Sequence, residues 1–119
     1  MDLYSEIILD YYKNPRNKTL LETANKTATE FNSTCGDKIT IYLEVADDKI
    51  IQARYQGDGC AISQASTSML TEKLIGLSVK EAQELKIHDI FQLLGVEINP
   101  GRIKCATIGL IATQKALKI

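Results

Sequence analysis

Alternation dominates the middle of the chain. In "ITIYLEV", Ile39, Ile41, Leu43 and Val45 fall on one face and Thr40, Tyr42 and Glu44 on the other, which predicts a half-buried strand. After the acidic turn Ala46 to Asp48, "KIIQARYQ" alternates again through Ile51, Ala53 and Tyr55 and predicts a hairpin partner. Upstream, "ANKTATEFN" over residues 24–32 is threonine-rich and weakly alternating, as expected of a polar edge strand. Elsewhere the period is helical. Leu3, Tyr4, Ile7, Ile8, Tyr11 and Tyr12 predict a helix over 2–13, ended at "NPRN" because the residue before a proline is pushed out of the helical region. Ile62, Ala65 and Met69 mark the inward face of a helix over 61–75, with Gly76 as terminator. Ser78 and Glu81 form a capping-box pattern for a helix over 79–86, and a short helix follows near 89–94. Past "NPG" at 99–101, Ile103, Ala106, Leu110 and Leu117 give a final helix its buried stripe. Strands first and helices after, without repeats or linkers, predict an α+β fold: a three-stranded antiparallel sheet with helices packed on it, one domain over 1–119.

Composition narrows the function classes. A chain of 119 residues, 45% hydrophobic and 24% charged, can bury one core without disulfide staples or a structural metal. The formal charge of -1 and pI near 5.8, with basic residues scattered, give no electrostatic reason to expect nucleic acid or an anionic membrane as partner. No apolar run approaches the roughly 18 residues of a spanning helix, and "MDLYSEIILDYY" carries acids where a signal peptide would be basic. A soluble, cytoplasmic protein is expected.

Three cysteines, Cys35, Cys60 and Cys105, cannot all pair within one chain, and none belongs to a Cys-x-x-Cys motif. In a reducing compartment each reads as a packed small hydrophobe, a reactive thiol or a metal ligand. Cys35 enters a predicted strand, Cys60 ends a glycine-rich loop at a helix start, and Cys105 lies in the first turn of the last helix. Helix N-termini favour thiolate, so these boundaries are expected to leave the thiols exposed and stabilised. Gly36, Gly57 and Gly59 are expected to keep the backbone open beside the first two. The nucleophile reading needs a base, and the single histidine, His88 in "KIHDIF", sits in no catalytic motif. "GDG" alone is a weak phosphate-loop signal. The metal reading joins Cys35, Cys60 and Cys105 to Asp37, two residues from Cys35: soft thiolates suit zinc or an iron-sulfur cluster, and a carboxyl group can complete four positions. Three thiolates and a carboxylate around a dication leave excess negative charge, which Lys104, Arg102 or Lys38 could offset.

The motifs also carry a resemblance. "YSEIILDYYKNPRN", "STCGD", "GDGCAISQAS" and "GRIKCATIGL" resemble, in order, the opening helix with its Asn-Pro-Arg-Asn signature and the three cysteine motifs of the U-type iron-sulfur scaffold family: IscU, SufU and the N-terminal domain of NifU. The match runs through nearly the whole chain. It implies a protein that is not itself an enzyme, which receives sulfur from a pyridoxal-phosphate cysteine desulfurase and builds a transient cluster, most simply two-iron two-sulfur. It then passes the cluster to apo recipient proteins. It further implies Cys35, Cys60 and Cys105 as ligands, Asp37 as the labile fourth, Cys105 as first sulfur acceptor and Lys104 as electrostatic support. A homo-oligomer is compatible with such a role. The resemblance also implies an alternative, a SufU-like zinc-dependent sulfurtransferase with zinc held by the same four groups. Lys104, where IscU-type chains have histidine, leans toward SufU. Only 44 residues, 61–104, separate Cys60 from Cys105, and the extra segment of SufU-type chains is missing. "INPGRIK" replaces the Leu-Pro-Pro-Val-Lys site read by a dedicated chaperone, and Thr19 replaces the opening signature's usual glycine.

Overall fold

The strand Asp37–Ala46 (β2) lies at the centre of the sheet, between Lys26–Asn32 (β1) and Lys49–Asp58 (β3), both antiparallel to it. The computed structural model describes residues 3–34, 36–96 and 98–118. Period-two patterning sorts the faces of β2. Asp37, Ile39, Ile41 and Leu43 point inward and are buried, and each apolar side chain so removed from water contributes roughly 1.5–3 kcal/mol. The outward residues are polar and pair across strands: Thr29 and Thr40 hydroxyls meet at 2.7 Å, and Tyr42 Oη donates to Gln56 Oε1 at 2.7 Å. The edge position foreseen for β1 is observed.

The β2–β3 hairpin turns on Asp47 and Asp48, both left-handed at φ 51° and 62°, the geometry of a tight turn whose twist matches its strands. One expectation fails beside it. Ile50, not Ile51, points inward: a register shift opposite Glu44 and Val45 leaves Ile51 without a ladder partner, 43% exposed, while Ile50 is fully buried. One extra residue in a strand inverts the phase that strict alternation would assign.

Helices cover the inner face. Ala61–Leu74 (α2) packs on β3, and Ile103–Leu117 (α5) packs on β1 and β2 and against α2. Leu3–Lys13 (α1) and Ile87–Leu94 (α4) lie on the far side of α2. The "NPRN" segment fastens α1 to α2. Arg16 donates its N–H to Ser68 Oγ at 2.7 Å, Asn17 Nδ2 reaches Thr71 Oγ1 at 3.2 Å, and the Asn17 carbonyl accepts from the Tyr55 N–H at 3.0 Å. Those tethers explain why α2 buries Ser68 and Thr71 beside the expected Ala65 and Met69, while the buried Ser63 and Ser66 donate locally, to the Cys60 and Ser63 carbonyls. Ser78 and Glu81 close the capping box as read from sequence, but the helix they start, Val79–Gln83 (α3), is shorter than the expected 79–86. The next helix takes over early, because the Lys86 N–H already donates to Asp89 Oδ2 at 2.8 Å. A 3-10 turn over Pro100–Arg102 leads into α5, and Cys105 falls in the first turn of that helix as expected.

Candidate metal centre

β2, α2 and α5 each bring one metal-capable side chain to a single point. The Asp37 carboxyl group, at the first residue of β2, and the sulfurs of Cys60 and Cys105 offer ligand atoms within 4.8 Å of one another. Asp37 occupies the inward phase of β2, below the column of Ile39, Ile41 and Leu43, and is 1% exposed. Its Oδ1 accepts the Cys60 N–H at 3.1 Å. Oδ2 is buried and accepts no hydrogen bond from the described residues. A buried carboxyl oxygen left without a donor is costly, and a cation beside two sulfurs supplies what is missing. The donor set, two soft sulfurs and one oxygen, suits zinc or iron.

Cys60 is the N-cap of α2, its sulfur accepting the Ser63 N–H at 3.5 Å. Burial pushes the Cys60 thiol up, but the Ser63 backbone and side chain together outweigh it and leave the thiol below its ordinary value. Ser63 Oγ also donates to the Cys60 carbonyl at 3.0 Å, which fixes the first turn of α2. Tyr55 holds that turn from β3, its hydroxyl 3.3 Å from the Gln64 carbonyl; burial pushes the phenol up to about 12, so it remains a donor. Arg102, at the start of α5, faces both sulfurs. The charge on Cys60 and a hydrogen bond to Cys105 hold the guanidinium above its usual range. Asn32, the last residue of β1, donates Nδ2–H to Cys105 Sγ at 3.6 Å.

The glycines act differently from the reading above. Of these three, Gly36 alone faces open space. A methyl group on Gly57 would strike the Lys38 backbone, and one on Gly59 would lie 2.6 Å from Asp37 Oδ1 and overlap Ser63 Oγ. These two glycines let β2, β3 and α2 close around the site. The expectation of exposed thiols also fails at Cys105, which is fully buried where α5 meets the sheet, while Cys60 is half-buried. Cys35 lies outside the described residues. Lys104 is exposed and lines a cleft with Glu30, Phe31, Asn32 and Ile111; Arg102 is the cation set against the two sulfurs. His88 lines an apolar cleft between α4 and α5 with Ile87 and Ile111. Asn32 and Ser63 escaped the sequence reading. Asn32 shares the inward phase of Ala28 and Glu30, where a buried amide signals a specific partner.

A family model described as the NifU-like N terminal domain matches residues 3–119. The chain belongs to that family. Among the relatives of this NifU-like domain, a Bacillus subtilis (strain 168) protein named zinc-dependent sulfurtransferase SufU is 35% identical, over 97% of this chain and 89% of its own. A Thermotoga maritima protein named iron-sulfur cluster assembly scaffold protein IscU is 33% identical, over 98% and 93%. A crystal structure described as a candidate iron-sulfur cluster assembly scaffold protein for the SUF system, from Fervidobacterium islandicum AW-1, matches with TM-score 0.79 at 33% identity over 96% of each chain. The fold expected from sequence, a three-stranded antiparallel sheet carrying helices, is the fold observed. Among the described residues, no helix is long and apolar enough to cross a membrane.

Proposed function

We propose that this NifU-like chain is a scaffold for iron-sulfur cluster assembly. It takes sulfur from a pyridoxal-phosphate cysteine desulfurase, holds a transient two-iron two-sulfur cluster as its cargo, and yields it to apo recipient proteins from one domain spanning the chain. The observation that carries this reading is the buried Asp37 carboxyl group, which lies within reach of the Cys60 and Cys105 sulfurs and whose Oδ2 has no donor among the described residues. Cys35, two residues before Asp37 in sequence, supplies the third thiolate. Oxygen is the hardest of the four donors and the poorest match for iron in a sulfide cluster, so Asp37 is the group that lets go. The burial of Cys105 sets a condition on its role as sulfur acceptor: a donor reaches it only after the site opens.

Asp37→Ala is expected to keep its cluster longer than the parent chain when transfer to an apo-ferredoxin is followed by visible absorbance. Equal or faster transfer would refute the release role.

The similarity to a relative named a zinc-dependent sulfurtransferase favours a second reading, in which the same four groups hold zinc and one freed thiolate takes persulfide sulfur. Zinc would act there as a Lewis acid that keeps the thiols ionised. The chain's own part is to hold the ligands, with Arg102 offsetting their charge. Anaerobic reconstitution with iron and sulfide separates the readings. Bound iron with acid-labile sulfide supports the scaffold, and zinc retained without sulfide selects the sulfurtransferase.

A further inference from the structure

We propose that Asn32 is a positioning residue of the metal centre, whose carboxamide donates an N–H···S hydrogen bond to Cys105 and keeps that sulfur in place while the Asp37 ligand exchanges. The inference rests on the metal-binding reading of the site.

Asparagine at the start of a turn usually folds its side chain back onto the turn backbone. Asn32 does not. Its Nδ2 reaches 3.6 Å from Cys105 Sγ, across 73 residues of sequence. The amide is 8% exposed, so its partner must be structural rather than solvent. In the strand ladder Asn32 pairs directly with Asp37, and the two close the connection from β1 to β2. One member of the pair is therefore a ligand and the other holds a ligand. Asp37 ties the turn to α2 through the Cys60 N–H, and Asn32 ties it to α5 through the Cys105 sulfur. A carboxamide suits the task because it donates without adding charge to a site already rich in anionic donors.

A hydrogen bond to a metal-bound thiolate withdraws electron density from sulfur and orients its lone pairs. The Cys60 sulfur receives its donor from the Ser63 backbone of its own helix, which no side-chain change removes. Cys105 receives one from a side chain on another element, in addition to the Arg102 guanidinium at the start of its own helix. This makes residue 32 a place where sequence can adjust one ligand without disturbing the rest.

The test uses the full chain loaded with cobalt(II) or with NMR-active cadmium. In the cadmium-loaded parent, the Asn32 carboxamide protons are expected to show through-bond coupling to the metal, with the Ser63 amide proton as an internal reference. In the cobalt form, Asn32→Ala is expected to move the thiolate-to-metal charge-transfer band to longer wavelength while the visible bands of tetrahedral cobalt persist. Coupling from Ser63 but not from Asn32 would overturn the proposal, and needs no variant to fold. An unmoved charge-transfer band in Asn32→Ala would overturn it as well. Failure of the parent chain to bind either metal would overturn the metal-binding reading itself, and this inference with it.

Discussion

Gly59→Ala separates two uses of a glycine beside a metal site. If Gly59 merely kept a path open to Cys60, a methyl group would block approach and leave the ligands in place. The structure puts that methyl 2.6 Å from Asp37 Oδ1, 3.1 Å from the carboxyl carbon and against Ser63 Oγ, so the Asp37 side chain must move. Its movement breaks the 3.1 Å bond from the Cys60 N–H, and a hydrogen bond to a charged group contributes about 1.5–3 kcal/mol. Misplacing one ligand's support costs about 10- to 100-fold in metal affinity. The variant should therefore lose about 1.5–3 kcal/mol of apo stability in urea titration with chelator present. Its zinc affinity, read by competition with a chromophoric chelator, should fall by about 10- to 100-fold. Gly76→Ala is the control: Gly76 has φ +97° and open space around it, away from the site. It should lose about 1–2 kcal/mol through backbone strain alone and bind zinc as the parent does. Unchanged zinc affinity in Gly59→Ala would refute the argument that this glycine seats Asp37.

The buried Cys105 and half-buried Cys60 should differ in labelling. With the metal removed, iodoacetamide followed by peptide mass spectrometry should modify Cys60 more than about tenfold faster, since an opening that costs only ~1.4 kcal/mol already gives that factor. Equal rates would mean that the last helix does not cover its thiol. Ile50→Ala should cost about 2–5 kcal/mol in denaturant titration and Ile51→Ala no more than about 0.5 kcal/mol; the reverse order would overturn the register shift in β3. Glu81 is held below the ordinary glutamate value of 4.5, chiefly by its hydrogen bond with the Ser78 backbone. A depressed carboxyl stabilises above its ordinary value and loses that stabilisation as pH falls through the folded one. The stability gap between parent and Glu81→Ala should therefore be full at neutral pH and narrow below pH 4.5. A gap constant down to pH 3 would show that the cap does not depend on ionisation.

Features governed by local chemistry were legible in the sequence. The capping box at Ser78 and Glu81, the helix start at Cys60 and the inward phase of Ile39, Ile41 and Leu43 follow from a few neighbouring residues. Asp37 was marked as a site residue by standing two positions from Cys35 at the strand entry, and it takes the same inward phase. Other features were hidden because their causes are distant. The phase of Ile51 depends on how β3 aligns with Glu44 and Val45, and a strand cannot announce its own bulge. The burial of Cys105 depends on α5 lying against the sheet. Asn32 read only as the end of a polar edge strand because its partner lies at the other end of the chain. Lys104 adjoins Cys105 in sequence, but Arg102, three residues before that cysteine, is the cation whose side chain meets the thiols.

Cys60 begins α2 and Cys105 begins α5, and Thr67 of α2 packs on Gly109 of α5, so the two helices run side by side in the same direction from the site. The chain between them travels away along α2, crosses through α3 and α4, and returns over the 3-10 turn to within a few ångströms of where it left. Length added to that excursion is length added to a closed detour, and it need not displace either endpoint. Alignment with the Bacillus subtilis relative spans 132 positions against 119 in this chain, so at least 13 positions are gaps here. An architecture of this kind uncouples length from geometry: residues can be added to or removed from the detour while the two helix starts at its base stay where they are.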